Sequence, residues 1–228
     1  MRPITSIPKS EEMRRKLVEI AGQIFAEEGY EAATVRQITD KAQVNIAAVN
    51  YYFGDKFQLY RAVLQSVTKR LLGLLKQHCV KGPAEERLRN LVRCVLEISV
   101  NDAPSWVHLL MSRELVEQHD DKTELFIEAI RPIHEITASI VTDLLGEQAD
   151  SAAIRIAAGL VIPICVNRIP QQRIEQKLYP GSDCDQIGME ETVELLYQFL
   201  VAGIKGLSGS RFSLNSTPRA DIPKQNTN

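Results

Sequence analysis

The chain has 228 residues, 44% of them apolar and 25% charged, the composition of an ordinary folded protein rather than of a disordered or fibrous one. Its formal charge of −2 excludes a uniformly basic coat, but residues 1–70 hold 11 Lys or Arg against 8 Asp or Glu, while the remainder holds 16 against 21. A mildly basic small module, suited to a polyanion, thus precedes a larger acidic one. The longest stretches free of charge, residues 42–54 and 156–167, have 13 and 12 residues, well short of the roughly 20 that a membrane-spanning helix needs. Residues 1–16 never open into the apolar run of a secretory signal, and a cytoplasmic location is expected. Cys79, Cys94, Cys165 and Cys184 are scattered, without the two-residue gap of a zinc or redox motif. Buried free thiols are expected there, with no metal and no cofactor.

Helical periodicity runs through the chain and strand alternation is almost absent. Leu17, Ile20, Ala21, Ile24 and Phe25 form one apolar stripe on a first helix, with Ser10 as its N-cap, Glu11 and Glu12 in the first turn and Gly29 as its stop. Thr34 and Gln37 have the spacing of a capping box and open a short helix with Val35, Ile38 and Ala42 on one face. Asn45 then caps another short helix, with Ile46, Val49 and Phe53 turned inward, until Gly54 breaks it. Asp55 and Gln58 open a long helix reaching about His78, along the stripe Tyr60, Val63, Leu64, Val67, Leu71 and Leu74. Five further helices are predicted over about 84–101, 104–118, 121–145, 150–170 and 187–207, with 171–188 as a connection. From Ser208 the chain is polar and is expected to be disordered.

Three helices within about 45 residues, the second and third short and joined by a tight turn, have the helix-turn-helix arrangement that places one helix in the major groove. Phe25 and Gly29 ending the first helix, Thr34 before Ile38, Ala42 and Val44 around the turn, and the run Val49-Asn50-Tyr51-Tyr52-Phe53-Gly54-Asp55-Lys56 followed by Leu59 carry a resemblance to the TetR family of transcriptional regulators. The resemblance is densest over residues 34–53. It implies an all-α fold: an N-terminal three-helix DNA-binding domain at 10–55, a larger helical domain at 56–207 that binds an effector and dimerises, and a tail at 208–228. It implies a regulator of transcription, most simply a repressor released from a palindromic operator by a small molecule, and not an enzyme. Two positions depart from the family pattern: Gln43 stands where Gly is usual, at a cost of about 1 kcal/mol if its φ is positive, and Thr39 where Ala is usual.

Physical chemistry supplies roles for the exposed positions of this unit. Thr34 can offer its hydroxyl and the helix-start amides to a phosphate, although capping alone explains it nearly as well. Arg36 can reach a base edge or a phosphate, or stay a solvated arginine; Asn45, Ile46, Ala47 and Ala48 begin the helix that would meet base edges, and Asn50 suits the N7 and N6 of adenine. Of Tyr51 and Tyr52, one is expected to reach a phosphate and the other to pack inward. Lys56 sits in a first helical turn, where a clamped phosphate would offset an unfavourable macrodipole.

In the acidic remainder the apolar faces Ile154, Ala158, Val161, Ile162 and Val193, Leu196, Leu200, Ile204 are expected to pair with their copies in a four-helix interface. Trp106, His108, Leu110, Met111, Arg113, Phe126 and His134 are the candidate effector lining. An enzyme is disfavoured: His134-Glu135 lacks the second histidine of a zinc protease, and no glycine-rich phosphate loop or nucleophile elbow is present.

Overall fold

The computed structural model describes residues 9–102, 105–117, 120–146, 149–181 and 187–208. Among the described residues all regular structure is helical: α1 (Lys9–Glu28), α2 (Val35–Ala42), α3 (Ala47–Phe53), α4 (Lys56–His78), α5 (Ala84–Glu97) with a π-helical turn at Ile98–Asp102, α6 (Ser105–Val116), α7 (Asp120–Leu145), α8 (Ser151–Leu178) and α9 (Met189–Gly206). The local signals that start and stop the early helices act as their chemistry requires. Gly29 and Gly54 take φ of 85° and 90°, conformations that cost glycine little and L-residues a good deal. Asp55 Oδ1 accepts the Gln58 N–H at 2.7 Å and opens α4.

Two apolar cores share α4 and α7. The first gathers Leu17, Ile24 and Phe25 of α1, Ile38 of α2 and Val49 of α3, and it is completed by Leu59, Tyr60 and Leu64 of α4, Leu110 of α6 and Phe126 of α7. The second packs Leu75, Leu91, Val95 and Ile140 against Val161 of α8 and Leu200 and Ile204 of α9. The three-helix head is therefore not closed by its own residues. Side chains of the body finish its core, so the position of the head follows α4 and α6.

Where α1 crosses α6, Gly22 makes room for an indole. A Cβ on Gly22 would stand 2.6 and 2.7 Å from Cζ3 and Cζ2 of Trp106, closer than packed carbon atoms come. The Trp106 Nε1–H donates to Glu19 Oε1 at 2.8 Å, and Arg113 Nη2 donates to the Glu27 carbonyl at 3.2 Å, so α6 grips α1 at two levels. Between them the Tyr60 hydroxyl donates to the buried Glu114 carboxylate, tying α4 to α6. Burial, this hydrogen bond and the Glu114 charge all push the Tyr60 phenol well above its ordinary range.

Several details differ from the sequence expectation. Ser10 lies inside α1 rather than at its cap, because the helix already includes Lys9. Ile46 is 53% exposed instead of turned inward. The helix expected to end near residue 170 runs on to Leu178, through Pro163 and Pro170, which shortens the expected connection. Proline lacks an N–H and so forgoes one intrahelical bond at each site, yet both flanks continue the helix. Cys79, Cys94 and Cys165 are buried free thiols, as expected. Cys184 and the tail from residue 209 lie outside the described residues.

Candidate nucleic-acid interface

Short local bonds brace the α2–α3 unit. The Thr34 hydroxyl accepts the Gln37 N–H at 3.2 Å and Gln37 Oε1 accepts the Thr34 N–H at 2.7 Å, the reciprocal box the sequence predicts. Gln37 Nε2 reaches back to Glu28 Oε2 at 2.9 Å, anchoring the start of α2 to the end of α1. The turn between α2 and α3 is made by Gln43, at φ 57° and ψ 46°, with its N–H on the Asp40 carbonyl at 3.1 Å. Asn45 Oδ1 then accepts the Ala47 N–H at 2.9 Å, so Asn45 starts α3 as its side chain suggests.

This bracing leaves one side of α3 in solvent. Asn45, Ala47 and Asn50 are exposed and Tyr51 is 82% exposed, while Val49 on the opposite side is fully buried. Tyr52 is half-buried, edge-on to Tyr51 with ring centroids 4.9 Å apart. Thr34 is exposed at the start of α2, Ala48 is half-buried, and the Arg36 side chain is 83% exposed, loosely paired with Asp40 at 3.7 Å.

Lys56 is braced from across the head. Its ammonium donates to the carbonyls of Ala33 at 2.8 Å and Glu31 at 3.4 Å, and lies 4.3 Å from the centroid of the Tyr30 ring. Burial lowers its pKa, against the opposing pull of Glu31. The chain's own carbonyls take two of the three N–H donors of this ammonium and leave one uncommitted. A residue that periodicity does not single out stands nearby: Arg14 of α1 places its guanidinium 5.2 Å from the centroid of Phe53, bringing a cation to the end of α3.

The candidate effector residues do not converge on one pocket. Trp106, Leu110 and Phe126 belong to the first core, with Met111 packed on it. Arg113 bridges Glu117 at 2.6 Å and the end of α1. The Nε2 of His108 is buried without a hydrogen-bond partner among the described residues, and His134 is exposed. A cleft of about 1020 Å³ lies elsewhere, between α1, α4 and α6, and Trp106 is the member of that set on its wall. Val18, Ala62 and Leu74 add apolar wall, and Arg14, Arg15, Lys69 and Arg70 stand at its sides.

The faces expected to pair with a second copy turn inward. Ala158, Val161, Val193, Leu200 and Ile204 are buried in the second core, with Ile154, Ile162 and Leu196 packed against it. The large apolar side chains left in solvent on the same helices are others: Ile156 at 63% and Leu160 at 52% on α8, Leu195 at 55% and Phe199 at 66% on α9. Residues 151–168 of α8 are long and apolar enough to cross a membrane by length and composition alone, yet only 28% of that window is buried within the protomer.

Comparison with known proteins agrees with the helix-turn-helix geometry. Residues 17–63 match the family of bacterial regulatory proteins of the tetR type, and residues 84–204 match the C-terminal domain of the HTH-type transcriptional dual regulator CecR. The chain belongs to the TetR family of helix-turn-helix transcriptional regulators. The HTH-type transcriptional activator FasR of Mycolicibacterium smegmatis is 28% identical over 156 residues, covering 66% of this chain and 68% of FasR. The regulator BetI of Escherichia coli is 33% identical over 82 residues, 35% of this chain and 42% of BetI. A transcriptional regulator FadR from Bacillus subtilis, solved in complex with stearoyl-CoA, superposes with a TM-score of 0.63 at 15% identity, over 83% of this chain and 98% of that one. The fold expected of the family, an N-terminal helix-turn-helix domain joined to a larger helical one, is the fold observed.

Proposed function

We propose that this TetR-family regulator acts as a homodimer that occupies a palindromic operator, blocks transcription there, and is released by a small-molecule effector bound to its larger domain. The observation that carries the DNA-reading part is the exposed side of α3, held by Val49 beneath, by the Asn45 cap and by the α2 capping box. In this reading Asn50 pairs with an adenine edge, Ile46, Ala47 and Ala48 meet thymine methyls, and Asn45 adds a polar contact. Thr34, Arg36, Tyr51, Tyr52 and the last N–H of Lys56 engage phosphates, joined by Arg14. The body, residues 56–207, carries the effector and the dimer contact. The protein works in the cytoplasm, where its operator is, and performs no catalysis.

Dimerisation is supported by the exposed stripe of Ile156, Leu160, Leu195 and Phe199, a run of large apolar side chains that isolated soluble proteins seldom leave in water. Two helices from each copy would close it as a four-helix interface, and a two-fold axis is what a palindrome requires of heads about 34 Å apart. The sign of regulation is a separate matter, since FasR is an activator. Release requires that the effector bind the DNA-incompatible state more tightly than the other.

Operator fragments recovered by genome-wide mapping, titrated by fluorescence anisotropy, test this. We expect affinity to fall linearly with salt on logarithmic axes, and Asn50→Ala to cost about 1–3 kcal/mol on the palindrome. Binding indifferent to salt, or Asn50→Ala and Arg36→Ala both without effect, would remove the assignment. A reporter gene behind the operator separates blocking from activation.

A further inference from the structure

The cleft between α1, α4 and α6 combines features that point to one class of ligand. Its floor is apolar, from Val18, Ala62, Leu74 and the ring of Trp106. Its sides carry Arg14, Arg15, Lys69 and Arg70 against Glu11 and Glu19. Both acids are engaged within the protein: Glu11 pairs with Arg15 at 3.7 Å and Glu19 accepts the Trp106 indole N–H at 2.8 Å. Lys69 is exposed and, among the described residues, has no ion-pair or hydrogen-bond partner. The volume of about 1020 Å³ is at the upper end of ligand pockets.

Gly73 is an independent observation. It lies inside α4, where glycine costs about 0.8–1 kcal/mol relative to alanine, and it lines the cleft. At Gly22 the missing side chain is explained by Trp106, but nothing lies within 4 Å of a Cβ built on Gly73. Among the described residues no packing contact requires this glycine. What its absent side chain leaves open is the cleft.

We propose that the cleft binds an amphipathic organic anion, with the apolar body against Trp106 and a carboxylate or phosphate between Arg15 and Lys69. The inference rests on the effector-released reading and supplies it with a site and a ligand class. Apolar burial yields roughly 25 cal/mol per Å², and the cations select an anionic over a neutral head. Because one wall is the first helix of the reading head and the others belong to the body, a molecule held there fixes the α1–α6 relation and thereby the head. Ligand and operator affinities are then linked reciprocally.

Trp106 is the single tryptophan of the chain and reports on the site directly. The full-length protein is titrated below micellar concentrations with dodecanoate, dodecyl phosphate, dodecanol and acetate, reading tryptophan emission. One or both long-chain anions are expected to shift the emission saturably, with dodecanol at least tenfold weaker and acetate without effect. The tighter of the two anions tells a carboxylate ligand from a phosphate one. Leucine at position 73 points back over the preceding turn and fills the cleft while improving helix propensity. Gly73→Leu is expected to abolish the saturable shift with operator binding and circular dichroism retained, and Arg15→Glu with Lys69→Glu to weaken the anion at least tenfold. Bound probe is expected to change the operator affinity of the unaltered protein about 5–150-fold. No saturable shift, equal affinity for dodecanol, a titration unchanged by Gly73→Leu, or operator affinity unmoved by bound probe would each overturn the proposal. Operator titrations without probe separate the two failures: a protein that binds operator but no probe loses only this site, and one that binds probe but no operator loses the regulator reading.

Discussion

On α3 the side chains left in solvent are short or hydrogen-bonding, apart from Ile46 at its start, whereas on α8 and α9 they are large and apolar. The first surface suits a polar partner that supplies its own charge; the second suits a partner that covers hydrocarbon, and a second copy presents the same stripe by symmetry. The contrast has an energetic side. Residues 47–53 of α3 include no Lys or Arg, and among the described residues Arg36, Arg14 and the remaining donor of Lys56 are cations that the head offers. On the function proposed above, one head alone gathers few phosphate contacts, and tight operator binding would depend on two heads held together by the apolar face.

The largest expected effect follows from that dependence. Phe199→Asp puts a charge in the middle of the exposed stripe without touching the second core, since Phe199 is 66% exposed. We expect a folded monomer by light scattering and a loss of operator affinity of about 10²–10⁴-fold, the gain that linking two heads ordinarily provides. A Phe199→Asp protein that stays dimeric, or a monomer that binds the palindrome undiminished, would break the contrast.

How much of this was readable in the residues differs between the same two regions. The reading head is written in local chemistry: Thr34 with Gln37, Asn45 with Ala47, Asp55 with Gln58, and Gly29 and Gly54 all act within four residues, and such signals survive without knowledge of the tertiary fold. Lys56 escaped because its partners, Glu31 and Ala33, lie across the head rather than along the helix. On α8 and α9 the helices were readable but their inward sides were not. Ala157 and Val161 alternate with Ile156 and Leu160, so the helix is apolar on two sides, and period alone does not say which side meets the core. The cleft was invisible for a related reason, since its walls come from α1, α4 and α6 and its most telling residue, Gly73, announces itself by empty space.

A smaller effect sharpens the polar side of the comparison. Gln43 is the one non-glycine residue with positive φ among the described residues, and it makes the turn that aims α3. Relief of that conformation by Gln43→Gly is worth up to about 1 kcal/mol, less the extra chain entropy that glycine brings to the unfolded state. We expect a slightly raised melting temperature and an operator affinity within twofold of the parent. A marked loss of affinity would instead make the Gln43 side chain, exposed beside α3, a contact with DNA.

The smallest effect concerns what holds α9, and with it half of the apolar face, against the body. Glu85 of α5 pairs with Lys205 and accepts the Tyr197 hydroxyl at 3.1 Å, Arg93 of α5 pairs with Glu190, and Arg89 of α5 bonds Glu194 at 3.0 Å while stacking 4.0 Å from the Tyr197 ring centroid. Lys205 and Tyr197 hold the Glu85 carboxyl below the usual range, Arg93 does so for Glu190, and Gln198 and Arg89 for Glu194. Carboxyls depressed in the folded state stabilise it above their unfolded value of about 4.3, and that contribution is lost as the pH falls through the folded values. All three are exposed, so solvent and salt screen the pairs and their share is modest. We expect the melting temperature and the dimer fraction to drift downward below about pH 4.3, and the drift to flatten in a Glu85→Gln, Glu190→Gln, Glu194→Gln variant. If the triple variant kept the full acid slope, other carboxylates would be responsible, and the α5–α9 pairs would orient the apolar face without stabilising it.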